Sequence, residues 1–485
     1  MSTLTLRNLT STPLTLKVID RYKSPEQLNT HDIHGSGISK FSRNFTSLFS
    51  STTPAKPQPT PEGLASSAEK FVKSEVDIQI QPFTTCTTEI PPPVASRGEK
   101  VRLTFEGDDE RYRIDIPSSQ NESQTFNALS QHPKHEFTGV FLPQDAFLSI
   151  YSSAQLYCWM KNMKDETPLS ALSIPGTHNS PTCHKALPSV RCQARSPKTQ
   201  LENGIRFFDI RVQPESPQSS KLVLVHAVFP ISLTGQRTFS ELLTTIFAFL
   251  DANPSETLIM SVKREGVNNL SDEQTARILY DHYTNNSAQA HRWYSEPRIP
   301  TLGEARGKII LMRRLLIDEH LRSQHDGRGW AIDAECWQDN TANDLHGQVC
   351  VQDFYEVLEA VNIDKKIEYC QAHLERAAEC VASLPGITCD PVNPTPPQPF
   401  YLNFLSASNF WRVGCWPERI ASQVNPKMLR WMCKEHARDT VGDGGTGIVV
   451  LDWVGLNGDW DLVRCVVGMN AKLMMREMTL TENQS

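Results

Sequence analysis

Two histidines, three aspartates and several cations each stand at the end of a short apolar run. His178 follows residues 172–175, and Asp209 and Arg211 close the run 205–208. His226 follows 222–225, Lys263 follows 258–262, and Arg313 and Arg314 follow 309–312. Asp353 and Tyr355 come after 349–351, and Asp452 comes after 448–451. Any one polar residue at such a place has a bland reading, because strands end in polar residues on reaching solvent. The whole set favours a site. Two imidazoles titrating at about 6.5 can supply a general base and a general acid near neutral pH. Carboxylates can orient them. Guanidinium groups suit a phosphate. Base, acid and guanidinium together fit cleavage of a phosphodiester without a metal.

Such residues need a frame that gathers strand ends. The runs 172–175, 205–208, 222–225, 258–262, 309–312, 349–351, 401–405 and 448–451 make eight candidate strands. Amphipathic stretches lie between several of them. In 239–250 the apolar residues recur at i, i+3 and i+4, after a capping-box signature, Thr238-Phe-Ser-Glu241. Further helices are expected at 272–284, 355–381, 417–437 and 459–476. Strands alternating with helices predict a closed parallel barrel, whose strand C-termini open on one active face. The second-to-third connection is too short for a helix, so the expected fold is an irregular (β/α)8 TIM-like barrel over 151–485. Residues 385–399 hold six prolines and read as a loop insertion.

Residues 1–150 read differently. Val101, Leu103 and Phe105 alternate with polar residues, Gly107-Asp108-Asp109 interrupts, and Tyr112, Ile114 and Ile116 resume, which is a hairpin pattern. Residues 4–9 and 14–19, split by Ser11-Thr12-Pro13, read as a second hairpin. The expectation is a small all-β, sandwich-like domain with a flexible Ser/Pro-rich loop at about 29–67. A formal charge of -7 argues against a nucleic-acid partner. No run approaches the roughly 18 apolar residues of a membrane span, and no basic-then-apolar leader opens the chain. These features predict a cytoplasmic protein with reduced thiols, peripheral at membranes.

The motif residues have a family counterpart. Leu172-Ser-Ile-Pro-Gly-Thr-His178-Asn-Ser180, Phe207-Phe-Asp-Ile-Arg211 and Leu224-Val-His226 together resemble the catalytic X region of bacterial-type phosphatidylinositol-specific phospholipase C. The resemblance continues through Glu256–Lys263, Gly307–Arg313, Trp337-Gln-Asp339, Val351-Gln-Asp353-Phe-Tyr355 and Val450-Leu-Asp452. It covers about 155–475 and leaves residues 1–150 without a counterpart. It implies cleavage of an inositol phospholipid to diacylglycerol and a cyclic inositol phosphate, with transient contact to a membrane surface and no cofactor. His178 then corresponds to the general base and Asp452 to its orienting partner. Arg211 corresponds to the phosphate-stabilising guanidinium and His226 to the general acid, with Asp209 among the catalytic carboxylates. Asn179, Lys263, Arg313, Asp353 and Tyr355 fall at substrate-binding positions, Tyr355 as a platform for the inositol ring.

One position departs from the pattern. Bacterial members carry Asp directly after the first His, where it supports the general acid, and here that residue is Asn179. Metal-dependent relatives carry Asn there, but with acidic residues where this chain has Arg211, a poor neighbour for a divalent ion. No metal ligand set is therefore expected. Two alternatives stay open: a metal-dependent barrel phosphodiesterase on another lipid, and a catalytically weak lipid-binding pseudo-enzyme. Other signals carry less. Gly442-Asp-Gly-Gly-Thr-Gly447 lies after a helix and before a strand, the reverse of a dinucleotide fingerprint. Cys183, His184 and Cys192 fit no standard zinc spacing. Trp411 and Trp416 read either as a membrane-contacting wedge or as packed residues.

Overall fold

A computed structural model describes residues 2–23 and 71–482, apart from 95, 97, 120, 188, 269, 287, 360, 393 and 394. The loop expected at 29–67 lies outside the described residues. The chain divides into two compact units, one of residues 1–148 without 9–11 and one of 149–485 with 9–11.

The first unit holds two five-stranded sheets. One orders its strands Thr85–Thr87, Thr5–Leu9, Phe147–Ser152, Phe137–Leu142, Ser123–Thr125. The other orders Phe71–Ile80, Leu14–Lys23, Glu99–Gly107, Glu110–Ile116, Asn127–Ala128. Tyr112 of the second sheet meets Phe137 of the first edge to face, 4.8 Å between centroids. Phe126 bridges Phe105 and Phe137 at 5.6 and 6.1 Å, so an aromatic core lies between the layers. The hairpin over 101–116 forms as read, with Gly107 opposite Glu110. Asp108 and Asp109 take φ of 48° and 65°, the left-handed pair that a two-residue turn needs and that Asp tolerates. Residues 4–9 and 14–19 do not form the expected hairpin. Their strands enter different sheets, and the amide of Asn8 holds the crossing by donating to the carbonyls of Thr12 and Ile80.

The second unit is the barrel. Eight parallel strands make the barrel wall, Ile174–Thr177, Phe207–Pro214, Leu258–Arg264, Ile309–Arg314, Ile332–Asp333, Val349–Gln352, Phe400–Phe404 and Ile448–Leu451, and a two-residue strand, Trp293–Tyr294, also pairs parallel with the fourth. The eighth pairs back onto the first, Ile174 beside Ile448. Ladders join all neighbours in turn except the fifth and sixth, where the curled sheet stays open among the described residues. Seven of these strands were legible as apolar runs. The remaining run was misplaced: Leu222–His226 is antiparallel to the second strand, Val212 opposite Leu224. That hairpin is why the connection held no helix. The fifth strand has two paired residues, too few for a periodic signal.

Helices pack outside the sheet. Phe239–Ala252 starts at the expected capping box, with both reciprocal bonds between Thr238 and Glu241 formed. Asp272–Leu279, Val361–Ala378 and Pro417–Lys434 match expectation to within a few residues. The single helix expected at 459–476 is two, Asp461–Gly468 and Ala471–Glu482. The break frees Asn470, whose side chain accepts from the backbone N–H of Ser173 and donates to its carbonyl, at 2.8 and 3.0 Å. It fixes the entry to the first strand. Within that strand, a Cβ on Gly176 would lie 2.8 Å from Cβ of Phe207, so only glycine admits the neighbouring core residue.

Candidate active site

Side-chain alternation decides which residues reach the barrel mouth. Ile174, Phe207, Ile259, Ile310, Val349 and Ile448 all belong to one buried core cluster. Four residues on, at the same pleat parity, stand His178, Arg211, Lys263, Arg314, Asp353 and Asp452. Each strand thus starts as core and ends as chemistry. His226 arrives by another route, on the strand that folds back along the second barrel strand.

His178 and Asp452 form the centre. Nδ1 of His178 lies 3.0 Å from Oδ1 of Asp452. A carboxylate only accepts, so Nδ1 carries the proton and Nε2 the lone pair. Burial works to lower the basicity of His178, but the charge of Asp452 and the sulfur of Cys192 outweigh it and hold the pKa well above the ordinary imidazole value. Gln193 tightens the seam by donating to the carbonyls of His178 and Leu451 at 2.6 and 2.9 Å. The Nδ2 of Asn179 lies 2.9 Å from Nε2 of His178. Asn179 has φ of 43°, and its backbone N–H donates to Asp209 at 3.3 Å.

The His226 ring lies 6.0 Å from that of His178, edge to face. Its Nδ1 donates to the carbonyl of Val190 at 2.8 Å, leaving Nε2 as the exchangeable nitrogen. Burial opposes protonation, yet the sulfur of Cys192, 3.9 Å from Nδ1, carries the pKa above its ordinary value. The group beside this second imidazole is therefore a thiol, and Asn179 hydrogen-bonds the first.

A charged cluster fills the neighbouring strand ends. Arg211 grips both oxygens of Asp209 at 3.0 and 2.9 Å and donates to Glu265 at 2.6 Å. Asp209 is buried, which would raise its pKa, but the charges of Arg211, His178 and Arg314 hold it far below the usual range. Glu265, which sequence reading missed, also accepts from the N–H of Ala227 at 2.6 Å and titrates at about 2, the pull of Arg211 and Lys263 overcoming burial. It ties the guanidinium to the loop after His226. Lys263 lies 3.7 Å from Glu265, and its pKa is lowered by burial and then by Arg211 and Arg314.

Arg313 and Arg314 divide as alternation requires. Arg313 points away from the mouth: it donates to the carbonyls of Trp330 and Leu315 and pairs with Glu335 and Asp333. Arg314 is the one of the two that approaches Asp209. Its guanidinium lies 3.6 Å from the ring centroid of Trp337 and 3.8 Å from Asp209. Burial and the charge of Arg211 depress it to about 10, and its Nη1 has no hydrogen-bond partner. The parity shared with Ile310 and Met312 is the signal that separates the two arginines. Asp353 acts through its charge on Arg211 and Arg314. Tyr355 lies on the loop beyond, its hydroxyl donating to Asp339 at 3.0 Å. Cys192 and Gln193 come from the loop before the second strand, where no sequence period marks them.

Beside the mouth are exposed apolar groups. Trp411 is 88% exposed, and Phe410, Val413 and Val228 are exposed with it. Phe410 stacks on Phe229, 5.9 Å and 6° apart, which joins this loop to the one carrying His226. Trp416 is half-buried and donates to the carbonyl of Phe410 at 3.2 Å, so the two tryptophans take different roles. No described helix is long and apolar enough to cross a membrane.

Residues 165–315, which carry the first four strands and both histidines, match the family described as phosphatidylinositol-specific phospholipase C, X domain. This part of the chain is similar to an X domain. A 1-phosphatidylinositol phosphodiesterase of Listeria monocytogenes is 36% identical over 160 residues, 32% of this chain. The match spans 47% of that relative's length. A protein of the same name from Staphylococcus aureus is 26% identical over 325 residues, 64% of this chain and 93% of its own. A solved double mutant of the Staphylococcus aureus phosphatidylinositol-specific phospholipase C shares the fold with a TM-score of 0.51 at 23% identity, covering 65% of this chain and 97% of that one. Asp353, Tyr355 and Asp452 lie beyond the matched X domain, on the later strands.

Proposed function

We propose that the protein is a phosphatidylinositol-specific phospholipase C that works without a metal cofactor. The single observation that carries this reading is the His178–Asp452 pair, 3.0 Å apart, with a second imidazole 6.0 Å away beside a carboxylate-clamped arginine. The names of the relatives supply the substrate class.

In this reading the inositol 2-hydroxyl replaces the amide of Asn179 at Nε2 of His178. His178 takes the hydroxyl proton as the oxygen attacks phosphorus. Asp452 stabilises the imidazolium that forms. His226, protonated, gives its proton to the departing diacylglycerol oxygen. A cyclic inositol phosphate and diacylglycerol result, and water or product exchange resets the two imidazoles. Arg211 is held rigid by Asp209 and Glu265, so it can meet developing charge on the phosphate with little reorganisation. Arg314, whose Nη1 makes no hydrogen bond, and Lys263 add two further cations. Arg211 occupies both oxygens of Asp209, so that carboxylate is not free to hold a calcium ion. The exposed Trp411 and Phe410 suit transient insertion into a lipid surface beside the mouth.

The test is incubation of the full chain with labelled phosphatidylinositol vesicles in excess chelator. Diacylglycerol and cyclic inositol phosphate should appear, and added calcium should not raise the rate. Activity lost in chelator and restored by calcium would overturn the metal-independent mechanism. Vesicle binding without cleavage would instead favour a lipid-binding module.

A further inference from the structure

Between the two imidazoles lies a donor set that the cleavage mechanism does not use as a set. A ring nitrogen of His178, Sγ of Cys192 and a carboxylate oxygen of Asp452 all lie within 4.8 Å of one another. Cys192 is 0% and Asp452 2% exposed. Oδ1 of Asp452 is engaged by His178, but Oδ2 is buried with no hydrogen-bond partner. A buried carboxylate oxygen without a donor is costly to keep, and a cation would satisfy it.

The geometry points to a binding site at His178, Cys192 and Asp452 for one divalent transition-metal ion of the zinc class, whose occupation switches the cleavage reaction off. One nitrogen, one thiolate and one oxygen form a borderline-soft set that suits zinc or cobalt and not calcium or magnesium, which take oxygen ligands. Zinc sites with three protein ligands keep a fourth position for water. Metal–ligand bonds of about 2.0–2.3 Å require the longest separation to close by roughly 1 Å. The ion inhibits because it takes a ring nitrogen of the base and the carboxylate that orients it. The binding half stands on the donor geometry alone. The inhibitory half rests on the phospholipase reading.

Cobalt(II) added to the full chain tests binding independently of turnover. One equivalent should give thiolate-to-cobalt charge-transfer absorption with the visible bands of a tetrahedral site, and zinc should displace it. Cys192→Ala and Cys192→Ser should both lose the absorption while keeping the wild-type circular dichroism. His178→Ala and Asp452→Asn should weaken cobalt binding by at least about 10-fold, the scale seen when a metal site loses part of its support. In the vesicle assay, zinc should inhibit reversibly with chelator, and the zinc needed should rise at least about 10-fold in Cys192→Ala relative to that variant's own zinc-free rate. Absorption that survives in folded Cys192→Ala would put the metal on another cysteine and overturn the site. Zinc bound at this site with turnover unchanged would overturn the switch.

Discussion

At the scale of single residues, His178 and His226 differ in what charges them. His178 faces a buried carboxylate, whereas His226 faces a carbonyl and a sulfur. His178→Ala and His226→Ala should each lower turnover by at least about 100-fold, the usual worth of a general base or acid. Turnover near wild type in either folded variant would refute the assignment. The pH profile distinguishes the base. A raised folded pKa puts the acid limb of kcat/KM above about 6.5, because only neutral His178 accepts the proton. Asp452→Asn removes the charge that raises it, so the limb should move to lower pH while the maximum falls. Linkage gives a second readout. A group whose pKa is raised on folding stabilises fully below its unfolded value, and that contribution fades as pH rises through the folded value. The Tm lost in Asp452→Asn should therefore be larger at about pH 6 than at about pH 9. The two adjacent arginines should separate as cleanly. Arg314→Ala should raise KM or lower kcat with Tm nearly unchanged. Arg313→Ala should destabilise by about 3 kcal/mol, chiefly by removing the partner of the nearly buried Glu335 and of the carbonyls of Trp330 and Leu315.

Among the elements, the hairpin strand Leu222–His226 carries more than its length implies. It brings the second imidazole back over the end of the second barrel strand and continues into Phe229, which stacks on Phe410. Glu265 fastens the same turn to Arg211 through Ala227. His226, Arg211 and the apolar loop are thus joined through adjacent segments. Trp411 is the most exposed aromatic of that loop group. Trp411→Ala should reduce vesicle binding and vesicle turnover several-fold while leaving cleavage of a short-chain soluble substrate unchanged. An equal loss on both substrates would remove the membrane role and return this residue to the catalytic or structural account.

For the whole molecule, the open question is the all-β unit before the barrel. We propose that it is an accessory module that contacts lipid or a partner, since it lies outside the matched X domain and has its own aromatic core. Comparison of the full chain with residues 151–485 checks this. Loss of vesicle binding with soluble turnover retained supports it. Unchanged vesicle binding and turnover would leave the unit a structural role only.

The sequence by itself determined the barrel and most of its mouth, because both follow from local periodicity. Apolar runs that end in His178, Arg211, Lys263 and Asp452 can be read without coordinates, since a buried parallel strand is apolar and its C-terminal end faces the site. Alternation from Ile310 even distinguishes Arg314 from Arg313, although the motif comparison alone had favoured Arg313. Tertiary structure decided what periodicity does not encode. Residues 222–225 have the same apolar pattern whether they pair parallel or antiparallel, and only the ladder to Val212 makes them a hairpin. Ile332–Asp333 is too short to show a period. Asn179 stands where bacterial members carry the Asp that supports the general acid, but the backbone turn at φ 43° carries its amide to the first histidine. Cys192 and Gln193 sit in an aperiodic loop, and only the folding of that loop puts a thiol beside the second imidazole.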